Sequence, residues 1–132
     1  MTGSSPAGRV PEQQLVHLRR AKDHADRHFA EPLDLEQLAA VAALSRYHFH
    51  RLFTATYGAT PAQHLTRRRV ERAMALLRDS ATSVTDIGMA VGFTSTGTFS
   101  RTFAAIVGLS PTAYRAGTGT YDAPGCAVRA WT

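Results

Sequence analysis

Cysteine is almost absent. Cys126 stands alone among 132 residues, which excludes an internal disulfide and any cysteine-based zinc cluster. No run of 18 apolar residues occurs, so no segment reads as a membrane-spanning helix. Residues 1–10 lack the apolar stretch of a secretory signal. Together these absences predict a reducing, cytoplasmic setting with no membrane partner. The familiar catalytic signatures are missing as well: there is no G-x-S-x-G, no phosphate-binding loop and no H-E-x-x-H. Neither an enzyme nor a cofactor site is expected. No convincing strand alternation occurs before residue 116, so the expected fold class is all-α. The length admits one modest domain or two very small ones.

Lysine is as scarce as cysteine, because all but Lys22 of the 15 basic residues are arginine. Their distribution is uneven. Residues 46–78 hold Arg46, Arg51, Arg67, Arg68, Arg69, Arg72 and Arg78 against Glu71 alone, whereas the segments on either side are nearly balanced. Arginine is suited to bidentate contact with phosphates and guanine edges, so this central block is a candidate polyanion-binding surface.

Residues 1–10, with Gly, Ser and Pro and no apolar period, read as a disordered lead-in, and 117–132 read as a tail of open structure. Between them the period is helical. Leu15, Leu18, Ala21, Ala25 and Phe29 mark a helix over about 11–29 that ends before Pro32. Asp34 is placed to cap a short helix over 35–42, and Ser45 to cap the next over 46–57, which stops at Gly58. Pro61 suits the first turn of a longer helix reaching Asp79. Ser83 or Thr82 caps a fifth helix, broken by Gly92. Ser95 starts a sixth that ends at Gly108, and Pro111 opens a last helical segment through Tyr114 and Arg115. The expected organisation is a first unit over 11–60, a connecting helix over 61–79 and a second unit over 80–116.

The two units are copies. An offset of 50 pairs Ser45 with Ser95, Phe49 with Phe99, Arg51 with Arg101, Phe53 with Phe103, Ala55 with Ala105, Gly58 with Gly108 and Pro61 with Pro111. An offset of 49 aligns the preceding helices, leaving one extra residue in the second turn. Each copy is helix, short turn, helix. Such a unit needs a small residue where its helices cross and a turn residue tolerant of positive φ. Gly88 and Gly92 serve in the second copy, Ala39 and Ala43 in the first.

If Phe49 and Phe53 face the core, then Arg46, Tyr47, His50 and Arg51 face outward, all types that meet base edges or phosphates. The matching surface in the second copy is Thr96, Gly97, Ser100 and Arg101, which is smaller and mostly neutral. The 19 residues of the connecting helix would span roughly 28 Å, against about 34 Å between successive major-groove faces of B-DNA. Arg67, Arg68, Arg69 and Arg72 on that helix are candidates for phosphate contact, as are the capping Ser45 and Ser95.

These residues resemble the DNA-binding domain of the AraC/XylS family of bacterial transcription regulators over about residues 12–115. The resemblance rests on Leu38-Ala39, Ser45, Phe49, Arg51, Leu52, Phe53, Gly58 and Pro61, then on Arg69-Val70, Ala73 and Leu76-Leu77. It is strongest through Ile87, Gly92-Phe93, Ser95, Phe99, Arg101, Phe103, Gly108, Ser110-Pro111 and Tyr114-Arg115. It implies a seven-helix domain with two helix-turn-helix motifs, whose recognition helices enter adjacent major grooves of double-stranded DNA. Carried over by position, it implies base contacts from Tyr47, His50 and Arg51, and from Thr96, Ser100 and Arg101. The sequence departs at Ala43, where Gly is common, at Gly88, where Ala is common, and at Gly97, where a longer polar reader is common. Family members usually carry a further effector-binding domain. The chain therefore resembles the small stand-alone activators that bind as monomers and recruit RNA polymerase, and a small complete protein is the expectation over a piece of a larger regulator.

His17, His24 and His28 form one stripe of the first helix, and surface histidines are expected there rather than metal ligands. Cys126 has no cationic neighbour nearer than Arg129, so no reactive thiol is expected. The alternative to a regulator is a protein-interaction module of helix-turn-helix ancestry, such as an anti-activator. The outward surface of the third helix favours the regulator, and the sparse sixth favours the alternative.

Overall fold

A computed structural model describes residues 11–117, and all regular structure among them is helical. The elements are α1 (Glu12–Arg27), α2 (Leu35–Val41), α3 (Arg46–Tyr57), α4 (Pro61–Asp79), α5 (Val84–Ala90), α6 (Thr96–Val107) and α7 (Pro111–Gly117). Among the described residues the all-α expectation holds, with seven helices. The expectations for residues 1–10 and for the tail, Cys126 included, lie outside the described residues. The chain divides into two compact units with the boundary between Thr66 and Arg67, inside α4.

Helix starts are set by side-chain caps, which satisfy the amide groups a first turn leaves without partners. Asp34 accepts from the Gln37 amide while the Gln37 side chain accepts from the Asp34 amide, a reciprocal capping box. Thr60 and Gln63 repeat that arrangement around Pro61 at the start of α4. Ser45, Ser83, Ser95 and Ser110 each accept from the amide three residues on. Between Ser83 and Thr82, the cap of α5 is Ser83.

In the first unit, α1, α2 and α3 bury Leu18, Ala21, Ala25, Leu38, Ala39, Ala42, Phe49, Leu52 and Phe53, joined by Leu65 from α4. The second unit buries Val70, Ala73, Met74 and Leu77 of α4 with Ile87, Val91, Phe99, Phe103 and Val107. Each unit thus has its own apolar centre, formed by the i, i+4 aromatic pair of its second helix. The Phe49 and Phe53 centroids are 5.5 Å apart and those of Phe99 and Phe103 5.8 Å. Tilted and edge-on geometries of this kind add to simple burial.

Candidate nucleic-acid interface

Both copies close their first helix in the same way. The Leu44 amide donates to the Ala39 carbonyl at 3.0 Å and the Ala43 amide to Ala40. In the second copy the Phe93 amide donates to Gly88 at 2.9 Å and the Gly92 amide to Met89. This six-to-one and five-to-two pairing places a left-handed residue just past the helix end. Gly92 fills the place at φ 111, and Ala43 fills it at φ 57, the one positive φ outside glycine among the described residues. A side chain there crowds its own backbone, so the first turn is strained.

The close crossing is met differently too. A Cβ on Gly88 would lie 2.8 and 2.9 Å from ring atoms of Phe99, nearer than packed carbons come. The glycine therefore lets the α6 aromatic sit against the backbone of α5. Beyond the turn, the second copy inserts Thr94, and Phe93 stacks on Phe99 at 5.2 Å between centroids.

With Phe49, Leu52 and Phe53 buried, α3 turns Ser45, Arg46, Tyr47, His50 and Arg51 to solvent. Tyr47 is 75% exposed, unusual for an aromatic, and the Arg51 guanidinium lies 5.9 Å from its ring centroid. That spacing is a cation–π pair. In the second copy the cap Ser95 and, on α6, Thr96, Gly97, Thr98 and Arg101 are exposed, with Ser100 half-buried. The Ser95 and Thr98 hydroxyls are 3.0 Å apart, and the Thr96 hydroxyl reaches 3.4 Å toward Thr85 of α5. Each recognition helix therefore carries its proposed readers on one solvent-facing side.

The arginines of α4 separate by environment. Arg68 donates to Glu71 at 2.6 Å. Arg69 is half-buried, and desolvation lowers its guanidinium pKa from the ordinary value. Arg72 is exposed and Arg67 partly so. Of the four, Arg67 and Arg72 are best placed to meet an external anion.

Several polar contacts escaped the sequence. His64 and Asp26 are 2.6 Å apart, tying the first turns of α4 to the last turn of α1, and Lys22 donates to Asp26 at 3.3 Å. Burial works to raise the Asp26 pKa, but the His64 and Lys22 contacts outweigh it and hold the carboxyl below its usual range. Arg115 donates to the carbonyls of Leu77 and Ser80, both at 3.1 Å, capping the end of α4. Arg78 donates to the Tyr114 hydroxyl at 3.0 Å. Apart from the local Lys22–Asp26 pair, these partners lie 35 to 38 residues apart.

On the histidine stripe, His28 bonds Glu31 at 2.7 Å and its ring lies 4.5 Å from that of His24. Among the described residues no three His, Cys, Asp or Glu side chains converge as a metal site.

Two helix-turn-helix elements in one chain, each presenting the polar side of its second helix, define the class as a double helix-turn-helix domain. The profile of a helix-turn-helix domain matches residues 38–117. Over 88 residues the chain is 44% identical to the MmsAB operon regulatory protein of Pseudomonas aeruginosa, covering 67% of this chain and 29% of that one. Over 90 residues it is 40% identical to the transcriptional activator RhaS of Escherichia fergusonii, covering 68% of this chain and 32% of that one. The chain thus matches under a third of the length of either regulator. Among solved structures it is similar to the DNA-binding domain of AdpA in complex with a target DNA. That match has 38% identity and a TM-score of 0.73, covering 76% of this chain and 90% of that one. It is also similar to an AraC-type regulator from Chromobacterium violaceum, at 28% identity and a TM-score of 0.74, covering 83% and 98%. The chain belongs to the AraC-type helix-turn-helix family of transcriptional regulators.

Proposed function

We propose that this chain is a sequence-specific DNA-binding regulator in which α3 and α6 each enter a major groove of double-stranded DNA. The observation that carries the reading is the paired exposure: two recognition helices, each fixed by a buried aromatic pair, turn the same side to solvent in both copies. Arg46, Tyr47, His50 and Arg51 read base edges in the first segment of the site, and Thr96, Ser100 and Arg101 in the second. Ser45, Ser95 and the α4 arginines Arg67, Arg68, Arg69 and Arg72 contact phosphates and fix the register. In this division residues 11–60 and 80–116 are the reading units and 61–79 connect them.

The first unit contributes more to affinity, since its reading face carries two arginines and a tyrosine where the second has a glycine and small hydroxyls. We further propose that the protein acts as a monomeric activator in the cytoplasm, on the nucleoid, and recruits RNA polymerase. The similarity to RhaS, named as an activator, supports the direction of regulation.

Selection of bound duplexes from a random pool at near-physiological salt tests the reading. The expected result is an enriched motif with two segments about 10 base pairs apart. Binding that is only salt-sensitive and selects no sequence would overturn it. That outcome would favour the protein-interaction module, to which the smaller, mostly neutral surface of α6 already lends support.

A further inference from the structure

Arg101 does not stand off its helix. A Cβ placed on Gly97 would lie 3.2 Å from Arg101 Nη1 and 3.9 Å from both Cζ and Nη2. The guanidinium therefore lies back along α6, over the bare backbone of a residue one turn earlier, in the direction helical side chains lean. The equivalent pair in the first unit is Tyr47 and Arg51, where the arginine rests against a ring 5.9 Å away and its partner is 75% exposed. The two helices thus carry the same arginine four residues after different supports. One is a projecting aromatic and the other has no side chain at all.

We propose that Gly97 is a specificity-determining position that acts through Arg101. It contributes no contact of its own and sets how far the guanidinium projects from the recognition helix. The inference rests on the reading of α6 as a recognition helix and deepens it. At 3.2 Å the obstruction is to the mobile end of a long side chain, so an added methyl displaces the guanidinium and leaves the backbone in place. Gly97 is exposed in the first turn of α6, and alanine is the better helix former there. Substitution thus separates reading from folding: the helix gains while the guanidinium must give way by a few tenths of an ångström.

The test compares wild type, Gly97→Ala, Arg101→Ala and the double variant, each by selection from the random pool and by melting. Arg101→Ala is expected to weaken preference at one base of the second segment roughly tenfold. Gly97→Ala is expected to change preference at that same base by about threefold or more. It should melt no lower than wild type and keep the salt slope. In the Arg101→Ala background Gly97→Ala is expected to change nothing. A Gly97→Ala variant with wild-type preference at the Arg101-dependent base overturns the proposal, as does an effect that persists without Arg101. If Arg101→Ala alters no base preference while the first segment is still selected, reading by α6 fails and this proposal with it. If wild type selects no sequence, the regulator reading itself has failed.

Discussion

His64 and Tyr114 are 50 residues apart and occupy the same place in the two copies. Each lies in the first turns of the helix that follows a recognition helix, and each meets the second phenylalanine of its pair edge-on, 5.8 Å from Phe53 and 5.6 Å from Phe103. Each also holds one polar partner from the helix that opens its copy: Asp26 of α1 for His64, Arg78 of α4 for Tyr114. The repeat is therefore four helices deep. The start of α4 closes the first copy as α7 closes the second, and the rest of α4 does for the second what α1 does for the first.

Asp26→Asn removes the carboxylate that both His64 and Lys22 contact. At neutral pH the loss is expected to be about 1 kcal/mol, modest because the site is partly solvated. The folded-state pKa of Asp26 is depressed, so its contribution is present above the unfolded value of about 3.9 and disappears as pH falls through the lower folded value. Urea unfolding of wild type and variant should therefore differ at pH 7, and the difference should shrink as pH falls below the ordinary carboxylate range. A difference undiminished in acid would mean that the aspartate acts by packing.

The turn residues are expected to respond in opposite directions. Ala43→Gly relieves a left-handed alanine at φ 57, worth about 1–2 kcal/mol, against about 0.4–1 kcal/mol of added unfolded-chain freedom. The net gain is roughly 0.5–1 kcal/mol in thermal or urea unfolding. Gly92→Ala, at φ 111, should destabilise by about 1–3 kcal/mol. An Ala43→Gly variant less stable than wild type by that entropic cost would show that the alanine turn carries no strain.

Gly88→Ala drives a methyl into the base of the buried Phe99 ring. The expected loss is about 1–3 kcal/mol by overpacking, read as a lower unfolding midpoint. A midpoint equal to wild type would mean that α5 and α6 can part without penalty.

Arg51→Ala is expected to weaken binding to the selected site by about 1–3 kcal/mol and to relax one base preference. Replacing Arg67 and Arg72 together should weaken binding to all duplexes and reduce the salt slope by about 2. Arg68→Ala should matter less, since Glu71 already holds its guanidinium. Titrations on selected and scrambled duplexes at several salt concentrations separate these cases.

The helix limits were legible because local chemistry sets them. Ser45 and Ser95 cap as their spacing predicts, Pro61 and Pro111 open helices, and Gly58 and Gly108 end them. The buried aromatic pairs were legible from their i, i+4 spacing, and the strained place of Ala43 from the repeat. The His64–Asp26 and Arg115–Leu77 contacts were not, because each joins ordinary surface residue types nearly forty positions apart with no periodic signal. Offset 50 does pair His64 with Tyr114, so the repeat continues past Pro61 although the partners of these residues differ. Gly97 was legible as a missing reader; that Arg101 lies over it depends on the arginine's rotamer, which the sequence does not encode.

The unlike faces of α3 and α6 have a consequence for geometry on the genome. Two identical helices could exchange the two segments of a site without loss. A helix bearing Arg46, Tyr47, His50 and Arg51 paired with one bearing Thr96, Gly97, Ser100 and Arg101 cannot. Under the proposed reading, reversing the site offers each helix the other's bases. A single bound copy then points along the duplex, marking upstream from downstream without a second subunit.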